Sequence, residues 1–136
     1  MKISTKGRYG LRVMIDIASH KNDEYIALKD IATRLGTTVK YLEQIVAPLN
    51  KAGFLCSMRG GGGGHKLALS PEECKVGDIL RVMEGNLSPV ECVSSGEIEC
   101  PMAESCATVN FWKGLDDVVN NYIDSYTLKD LLPGEK

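Results

Sequence analysis

The sequence lacks the features that place a protein in a membrane or mark it as an enzyme. Its 136 residues contain no run of about eighteen apolar residues, and residues 1–12 have no apolar segment typical of a secretion signal. No Ser-His-Asp, HExxH or phosphate-loop signature is found, and the glycine run 60–64 ends in Gly-His-Lys-Leu rather than Gly-Lys-Ser/Thr. We therefore expect a cytoplasmic, globular protein without enzymatic activity.

The five cysteines do not suggest a disulfide framework, because their number is odd and a reducing cytosol keeps thiols free. Cys92, Cys100 and Cys106 follow the spacing C-x7-C-x5-C. Thiolates bind soft metals and iron–sulfur clusters, so the spacing favours a metal centre of some kind over buried or redox-active thiols. Cys56 and Cys74 stand apart and are interpreted as small core residues.

The net charge of −2 conceals a strong asymmetry along the chain. Residues 1–68 carry 11 Lys and Arg against 5 Asp and Glu, whereas residues 69–136 carry 5 against 13. A basic front half is typical of a module that contacts phosphates, and an acidic back half would face away from a polyanion. Chance unevenness between two solvated surfaces is the alternative.

Apolar residues at helical spacing predict three helices in the front half, over residues 8–20, 28–35 and 39–49. Gly36 and Gly53 are helix stops for the second and third helices, and Thr37 and Thr38 offer capping oxygens for the third. A short strand is possible at 25–27. Two helices joined by this short connector predict a helix-turn-helix.

The next segment predicts a β-hairpin and a fourth helix. Strands at 54–58 and 66–69 flank Arg59 and the glycine run, forming a wing. Ser70 and Glu73 match a capping box, and apolar spacing places a helix over 76–83, before Gly85. Residues 86–105 have no periodicity and predict an irregular loop that carries Cys92 and Cys100, with Cys106 directly after it.

A long helix follows, with apolar residues from Phe111 to Tyr126. Their arc is wider than one buried face requires, so a second subunit is expected to cover part of it. The fold class is therefore mainly α with a small β-hairpin wing. We expect a winged helix-turn-helix domain at 1–70, then a linker helix, a cysteine loop (86–110) and a dimerisation helix within 71–136.

Candidate DNA-binding residues lie on the third helix and the wing. Thr and Gln side chains bond base edges or phosphates, Lys binds phosphates, and Glu accepts from a cytosine amino group. Arg at a wing tip can enter a narrow minor groove, and adjacent glycine allows close backbone approach. A solvated polar helix face is the alternative. The candidates are Thr38, Lys40, Tyr41, Glu43, Gln44, Lys51, Arg59 and Gly60. His20 and His65 are expected at the surface.

The chain resembles the bacterial winged-helix regulators typified by the iron–sulfur regulator IscR, the cysteine-metabolism regulator CymR and the nitric-oxide sensor NsrR. The resemblance covers nearly the whole chain. Its motifs are residues 1–9 (MKISTKGRY), 41–44 (YLEQ), 49–55, Arg59 with the glycines that follow, 76–79 (VGDI) and the three cysteines.

Resemblance to IscR implies a homodimer that crosses through the long C-terminal helix, with two recognition helices in successive major grooves. It also implies a 2Fe-2S cluster on Cys92, Cys100 and Cys106, and control of cluster-assembly genes. Glu43 matches a glutamate that excludes one operator class from the cluster-free protein. CymR-like members lack the cysteine loop.

The fourth cluster ligand departs from the family pattern. IscR-like proteins use a histidine where this chain has Val109, and NsrR-like proteins use an acidic residue in the region of Arg8. Glu104, Asn110, a partner-chain residue or an exogenous ligand could complete the site. A thiol-redox, nitric-oxide or cysteine-metabolism regulator of the same fold, or a zinc-binding interaction protein, therefore remains the alternative.

Overall fold

The computed structural model describes residues 2–20, 24–93 and 105–133, and it confirms a mainly helical fold with a small antiparallel hairpin. Short 3-10 turns lie at Pro71–Glu73, Glu91–Val93 and Leu128–Leu131. None of the helices in these ranges has both the length and the apolar character needed to cross a bilayer. The elements in chain order are α1 (Thr5–Ala18), α2 (Leu28–Leu35), α3 (Val39–Lys51), β1 (Leu55–Met58), β2 (Gly64–Leu67), α4 (Val76–Glu84) and α5 (Val109–Asp124).

Helix α1 begins at Thr5, three residues before the predicted start. The side chain of Ser4 accepts a hydrogen bond from the Gly7 amide at 3.1 Å and so caps the helix. The first turn carries no apolar periodicity, which is why the pattern alone placed the start at residue 8. Val13, Met14 and Ile17 then point into the core.

The helix-turn-helix is confirmed. Gly36 ends α2 in the left-handed conformation, with φ of 68°, which glycine adopts without steric cost. The Thr38 hydroxyl accepts from the Tyr41 amide at 3.1 Å and caps α3. Helix α3 continues through Pro48 to Lys51 and ends just before Gly53, the predicted helix stop.

The wing is an antiparallel hairpin in which Leu55 pairs with Leu67 and Met58 pairs with Gly64. Strand β2 starts two residues earlier than predicted, so the last glycine of the run belongs to the strand. The strand expected at 25–27 is a single bridge, in which the backbones of Ile26 and His65 exchange hydrogen bonds of 2.8 and 2.9 Å.

The capping-box residues form a separate turn rather than the start of α4. The Ser70 amide and hydroxyl donate to the Glu73 carboxylate at 3.2 and 2.8 Å, within the 3-10 turn Pro71–Glu73. Helix α4 starts later, at Val76. The sequence predicted the bonds, but it did not separate the turn from the helix.

Helix α5 is followed by a segment that returns to the body of the protein. The Leu128 amide donates to the Cys74 carbonyl at 2.8 Å, and the Leu128 side chain is fully buried. Front and back halves therefore share one core. Its largest fully buried side chains are those of Met14, Ile31, Leu42, Ile45, Leu49, Ile79 and Leu128.

Candidate functional site

One face of α3 is polar and open to solvent. Lys40, Glu43, Gln44 and Lys51 are exposed, on the side of the helix away from the apolar residues that enter the core. Ala47 is exposed between them and adds a methyl group to the face. Such side chains bind phosphates and base edges, and a methyl group packs against thymine, in the major groove that admits a helix. The face therefore has the chemistry needed to read a duplex.

The N-terminal end of α3 holds the two other candidates on this helix. The Thr38 hydroxyl is exposed and uses its oxygen as the helix cap, which leaves its proton available to donate. Tyr41 is half-buried, and its ring packs edge-on against Tyr9 of α1, with 5.5 Å between ring centroids. The start of α3 is therefore tied to α1.

The tip of the wing carries Arg59 and Gly60, both exposed. Gly60 has φ of 104°, a conformation that side-chain-bearing residues rarely adopt. A Cβ atom on Gly61 or Gly62 would meet nothing within 4 Å. The tip is thus an arginine beside uncovered backbone, as minor-groove contact requires.

The base of the wing is anchored to α3, through a contact that the sequence analysis missed. His65, expected at the surface, is half-buried, and burial lowers its pKa. Its Nδ1 lies 3.3 Å from the Asn50 side-chain nitrogen near the end of α3. Lys66 lies 4.8 Å from the centroid of the Tyr25 ring. These pairs are distant in sequence, so no local pattern could reveal them.

One positive charge of the basic half is neutralised internally. The Arg34 guanidinium donates to both carboxylate oxygens of Asp16, at 2.8 and 2.7 Å. Arg12, by contrast, is exposed and lies over the Tyr9 ring at 5.2 Å. The sequence alone does not show which of these two arginines is paired with a carboxylate, because the pairing depends on how α1 packs against α2.

Helix α4 holds the start of α1 in place. The Glu84 carboxylate accepts from the amide and hydroxyl of Ser4, at 2.8 and 2.7 Å. A Cβ atom on Gly7 would collide with that carboxylate, and one on Gly10 would lie 2.7 Å from Met83. The glycines let the two helices approach closely, so α1 and α4 are expected to move together.

Arg81 links α4 to α5. Its guanidinium donates to both oxygens of Asp124, at 2.8 and 2.9 Å, and to Asn120 at 2.9 Å. These hydrogen bonds lower the pKa of the Asp124 carboxyl. Gly77 leaves room for the approach, since a Cβ there would collide with Asp124. The orientation of α5 is therefore fixed relative to the rest of the chain.

The cysteine candidates are only partly within the described residues. Cys106 is exposed just before α5. Hydrogen bonds to Thr108, mainly to its side chain and also to its backbone, lower the pKa of the Cys106 thiol. Cys92 lies in the turn Glu91–Val93, which packs against α5, but its side chain is not described. Cys100 and Glu104 lie outside the described residues. The turn that contains Cys92 and the residue Cys106 thus both adjoin α5.

The remaining two thiols differ from this pair. Cys74 is fully buried, and burial raises its pKa to about 11, which agrees with a core role. Cys56 is half-buried on β1.

The donor set of the cysteine segment fits an iron–sulfur cluster held by three thiolates. Thiolates are the usual ligands of such clusters, and a low thiol pKa favours the ligating form. Val109 is buried and apolar, and cannot supply a fourth ligand. Arg8 is exposed and donates to Thr5. A cluster bound by thiolates at 92, 100 and 106 would therefore need a fourth ligand from another group.

Comparison with known proteins places these features in context. Residues 3–134 match the Rrf2 family, described as iron-dependent transcriptional regulators. The chain is 43% identical to the transcriptional regulator CymR of Bacillus subtilis over 131 residues, covering 96% of this chain and 89% of that protein. It is 34% identical to the regulator IscR of Aliivibrio salmonicida over 132 residues, covering 97% and 77%. The structure of the B. subtilis global cysteine regulator CymR superimposes with a TM-score of 0.78 at 40% identity, covering 96% of this chain and 95% of that one.

Proposed function

This chain belongs to the Rrf2 family of transcriptional regulators, and from that premise we propose that it is a homodimeric DNA-binding repressor that senses iron–sulfur cluster status. Its targets would be the genes of iron–sulfur cluster biogenesis. The observation that carries the proposal is the packing of the Cys92-bearing turn against α5, the helix that Cys106 precedes.

Binding to DNA follows from the exposed residues of α3 and the wing. Lys40 and Lys51 bind phosphates, Glu43 and Gln44 meet base edges, and Arg59 enters the minor groove. The acidic back half lies away from the duplex. A two-fold dimer presents two such heads to one face of the DNA.

Cys92, Cys100 and Cys106 would hold the cluster, which supplies an occupancy and an oxidation state that change with iron and oxygen supply. A site with three protein thiolates and an external fourth ligand loses its cluster more readily than a fully ligated one, which suits a sensor. Thr108 contributes by lowering the pKa of the Cys106 thiol, which favours the thiolate that binds metal.

The route from the cysteine segment to the DNA runs through α4 and α1. The segment follows directly from α4, whose last residue, Glu84, binds Ser4 at the start of α1. Further along α1, the Tyr9 ring contacts Tyr41 at the first turn of α3. Ordering of the cysteine segment would bias two arrangements of these contacts that differ in DNA affinity.

The test begins with anaerobic purification, visible absorption, and assays of iron and sulfide per subunit. We expect a coloured protein in which Cys92→Ala, Cys100→Ala and Cys106→Ala each reduce iron by more than half, while Cys56→Ala, the matched control on the wing, retains it. DNA affinity is then measured for loaded and cluster-free protein, with a duplex selected from a random library. We expect the two forms to differ in affinity or in the sequence selected.

A second candidate is a thiol-responsive or cysteine-metabolism regulator of the same fold without a 2Fe-2S cluster. The greater identity to CymR of B. subtilis than to IscR of A. salmonicida favours it. A colourless protein that binds its selected duplex equally well with and without iron would support this candidate and exclude the cluster. A monomer that binds no duplex in any metal state would exclude both.

A further inference from the structure

The wing is a short element whose orientation depends on what holds its base. Its two strands have four residues each and form a two-stranded sheet. A hairpin of this size is only marginally stable in water by itself. Its tip adds little, because Arg59 and Gly60 are exposed and a Cβ atom on Gly61 or Gly62 would meet nothing within 4 Å. The position of Arg59 relative to α3 is therefore determined at the base of the wing.

Strand β2 is held at this base on two sides. The backbone of His65 exchanges hydrogen bonds of 2.8 and 2.9 Å with Ile26, in the segment before α2. Gly64 allows this approach, since a Cβ atom there would strike the Ile26 backbone. The side chain of His65 makes the other contact, with Asn50 of α3. Among the side-chain hydrogen bonds of the described residues, this is the one that joins the wing to α3.

The contact between Asn50 and His65 has a defined direction. The Asn50 side-chain nitrogen can only donate, so the Nδ1 atom of His65, 3.3 Å away, accepts and carries no proton. This requires a neutral imidazole with its proton on Nε2. Burial lowers the pKa of His65 and so favours the neutral form. The half-buried position of His65 therefore suits the role of acceptor.

Asn50 makes this contact at a cost to the stability of the fold. Its Oδ1 atom is buried and has no hydrogen-bond partner in the part of the chain that the structure describes. A buried amide oxygen without a partner destabilises a protein, whereas an apolar side chain of similar size does not carry this cost. The amide at position 50 is thus explained by its contact with the wing rather than by the packing of α3.

We propose that Asn50 and His65 are a positioning pair that sets the angle of the wing against α3, so that Arg59 reaches the minor groove while α3 lies in the major groove. The proposal rests on the DNA binding of the proposed function and names the residues that fix its two contacts relative to each other. Asn50 acts through His65, and the pairing of β2 with β1 carries the orientation to Arg59. A wing positioned in advance loses less conformational freedom on binding.

The first test is a double-mutant cycle on DNA affinity, measured by fluorescence anisotropy with the duplex selected by the unaltered chain. We expect Asn50→Leu to raise the dissociation constant about fivefold. Arg59→Ala should raise it about tenfold in the unaltered chain but less than about threefold in the Asn50→Leu background, because a wing that is not positioned no longer delivers Arg59. Lys40→Ala, on α3 itself, should have the same effect in both backgrounds.

The second test separates positioning from a structural role. Because Asn50→Leu also removes the buried oxygen without a partner, its urea midpoint should equal or exceed that of the unaltered chain although DNA affinity falls. Arg34→Met is the control that breaks an ion pair away from the wing. It should lower the midpoint and leave DNA affinity within about twofold.

Substitutions at His65 give an independent measurement. His65→Leu removes the acceptor and should reproduce the loss of affinity and the non-additivity with Arg59→Ala. His65→Asn places an amide oxygen at the position of Nδ1 and should retain affinity within about threefold.

The outcomes distinguish this pair from the proposed function. Equal effects of Arg59→Ala in the unaltered, Asn50→Leu and His65→Leu chains would overturn the positioning role and leave DNA binding intact. A lower urea midpoint in Asn50→Leu, with no retention of affinity in His65→Asn, would assign the pair a structural role and also overturn it. An unaltered chain that binds no duplex would overturn both the pair and the proposed function.

Discussion

Single side chains of the DNA interface divide into those that read bases and those that bind phosphates, and the two kinds respond differently to salt. We predict that Lys40→Ala weakens binding to the selected duplex and reduces the slope of log affinity against log salt by about one, because one phosphate contact is lost. Arg59→Ala should cost roughly 1–3 kcal/mol of binding, with most of the loss on duplexes with a narrow minor groove at the wing. Fluorescence anisotropy over a salt series measures both.

Lys113→Ala is the matched control for these variants, since it removes the same charge from α5 in the acidic half. Its affinity and salt slope should equal those of the unaltered chain. Equal slopes for Lys40→Ala and the unaltered chain would place α3 away from the phosphates and contradict the docking.

His65 gives a prediction for pH. Burial lowers its pKa in the folded state, so the unfolded chain binds the proton more readily. The stability contributed by neutral His65 is complete above the pKa of the unfolded chain, about 6.5. It is lost as the pH falls through that pKa. We expect the free energy of unfolding, measured by urea titration, to decrease as the pH is lowered from about 7.5 to 5.5, by less than about 1.4 kcal/mol per pH unit for one proton. His65→Gln should flatten this dependence. An unaltered slope in His65→Gln would contradict the assignment.

The roles of some residues of the site could be predicted from sequence and those of others could not, for a physical reason. Gly36 and Thr38 act through backbone bonds within a few residues, so their roles follow from local chemistry. Pairs such as Ser4 with Glu84 and Asn50 with His65 join residues 80 and 15 positions apart. No periodicity encodes which distant polar groups meet, because that depends on the packing of whole helices.

At the scale of elements, apolar spacing predicted the presence and order of the five α-helices in the part of the chain that the structure describes, but it predicted their ends less well. Ends are determined by capping bonds, as at Ser4, or by bonds that form a separate turn, as at Ser70. The wing was predicted as a hairpin, but its anchor to Ile26 was not, since one bridge leaves only a weak trace in the sequence. The position of α5 against α4 depends on Arg81, which an amphipathic pattern treats as an ordinary surface residue.

The Arg81 link can be tested by substitution. Arg81→Met removes the hydrogen bonds to Asp124 and Asn120 but retains a long side chain to cover the apolar surface. Because both groups are about one-third exposed, solvent screens the pair and the expected loss is only about 1 kcal/mol. Thermal unfolding should then shift by about 4 °C. Arg34→Met, which breaks the ion pair between α2 and α1, is the control with a similar stability loss but an unaltered α5.

At the scale of the whole molecule, two heads joined through α5 should require a fixed separation between operator half-sites. We predict a pseudo-palindromic operator with half-sites about one helical turn, or a multiple of it, apart. Insertion of about five base pairs between them rotates one half-site to the opposite face of the duplex, so only one head can bind. Affinity should fall about a hundredfold, towards that of an isolated half-site, because the second contact loses its high effective concentration.

Arg81→Met loosens α5 against α4 and should reduce this loss of affinity, whereas Arg34→Met should not. If the unaltered chain tolerates the insertion without loss, each head binds independently and the rigid arrangement of the dimer is wrong.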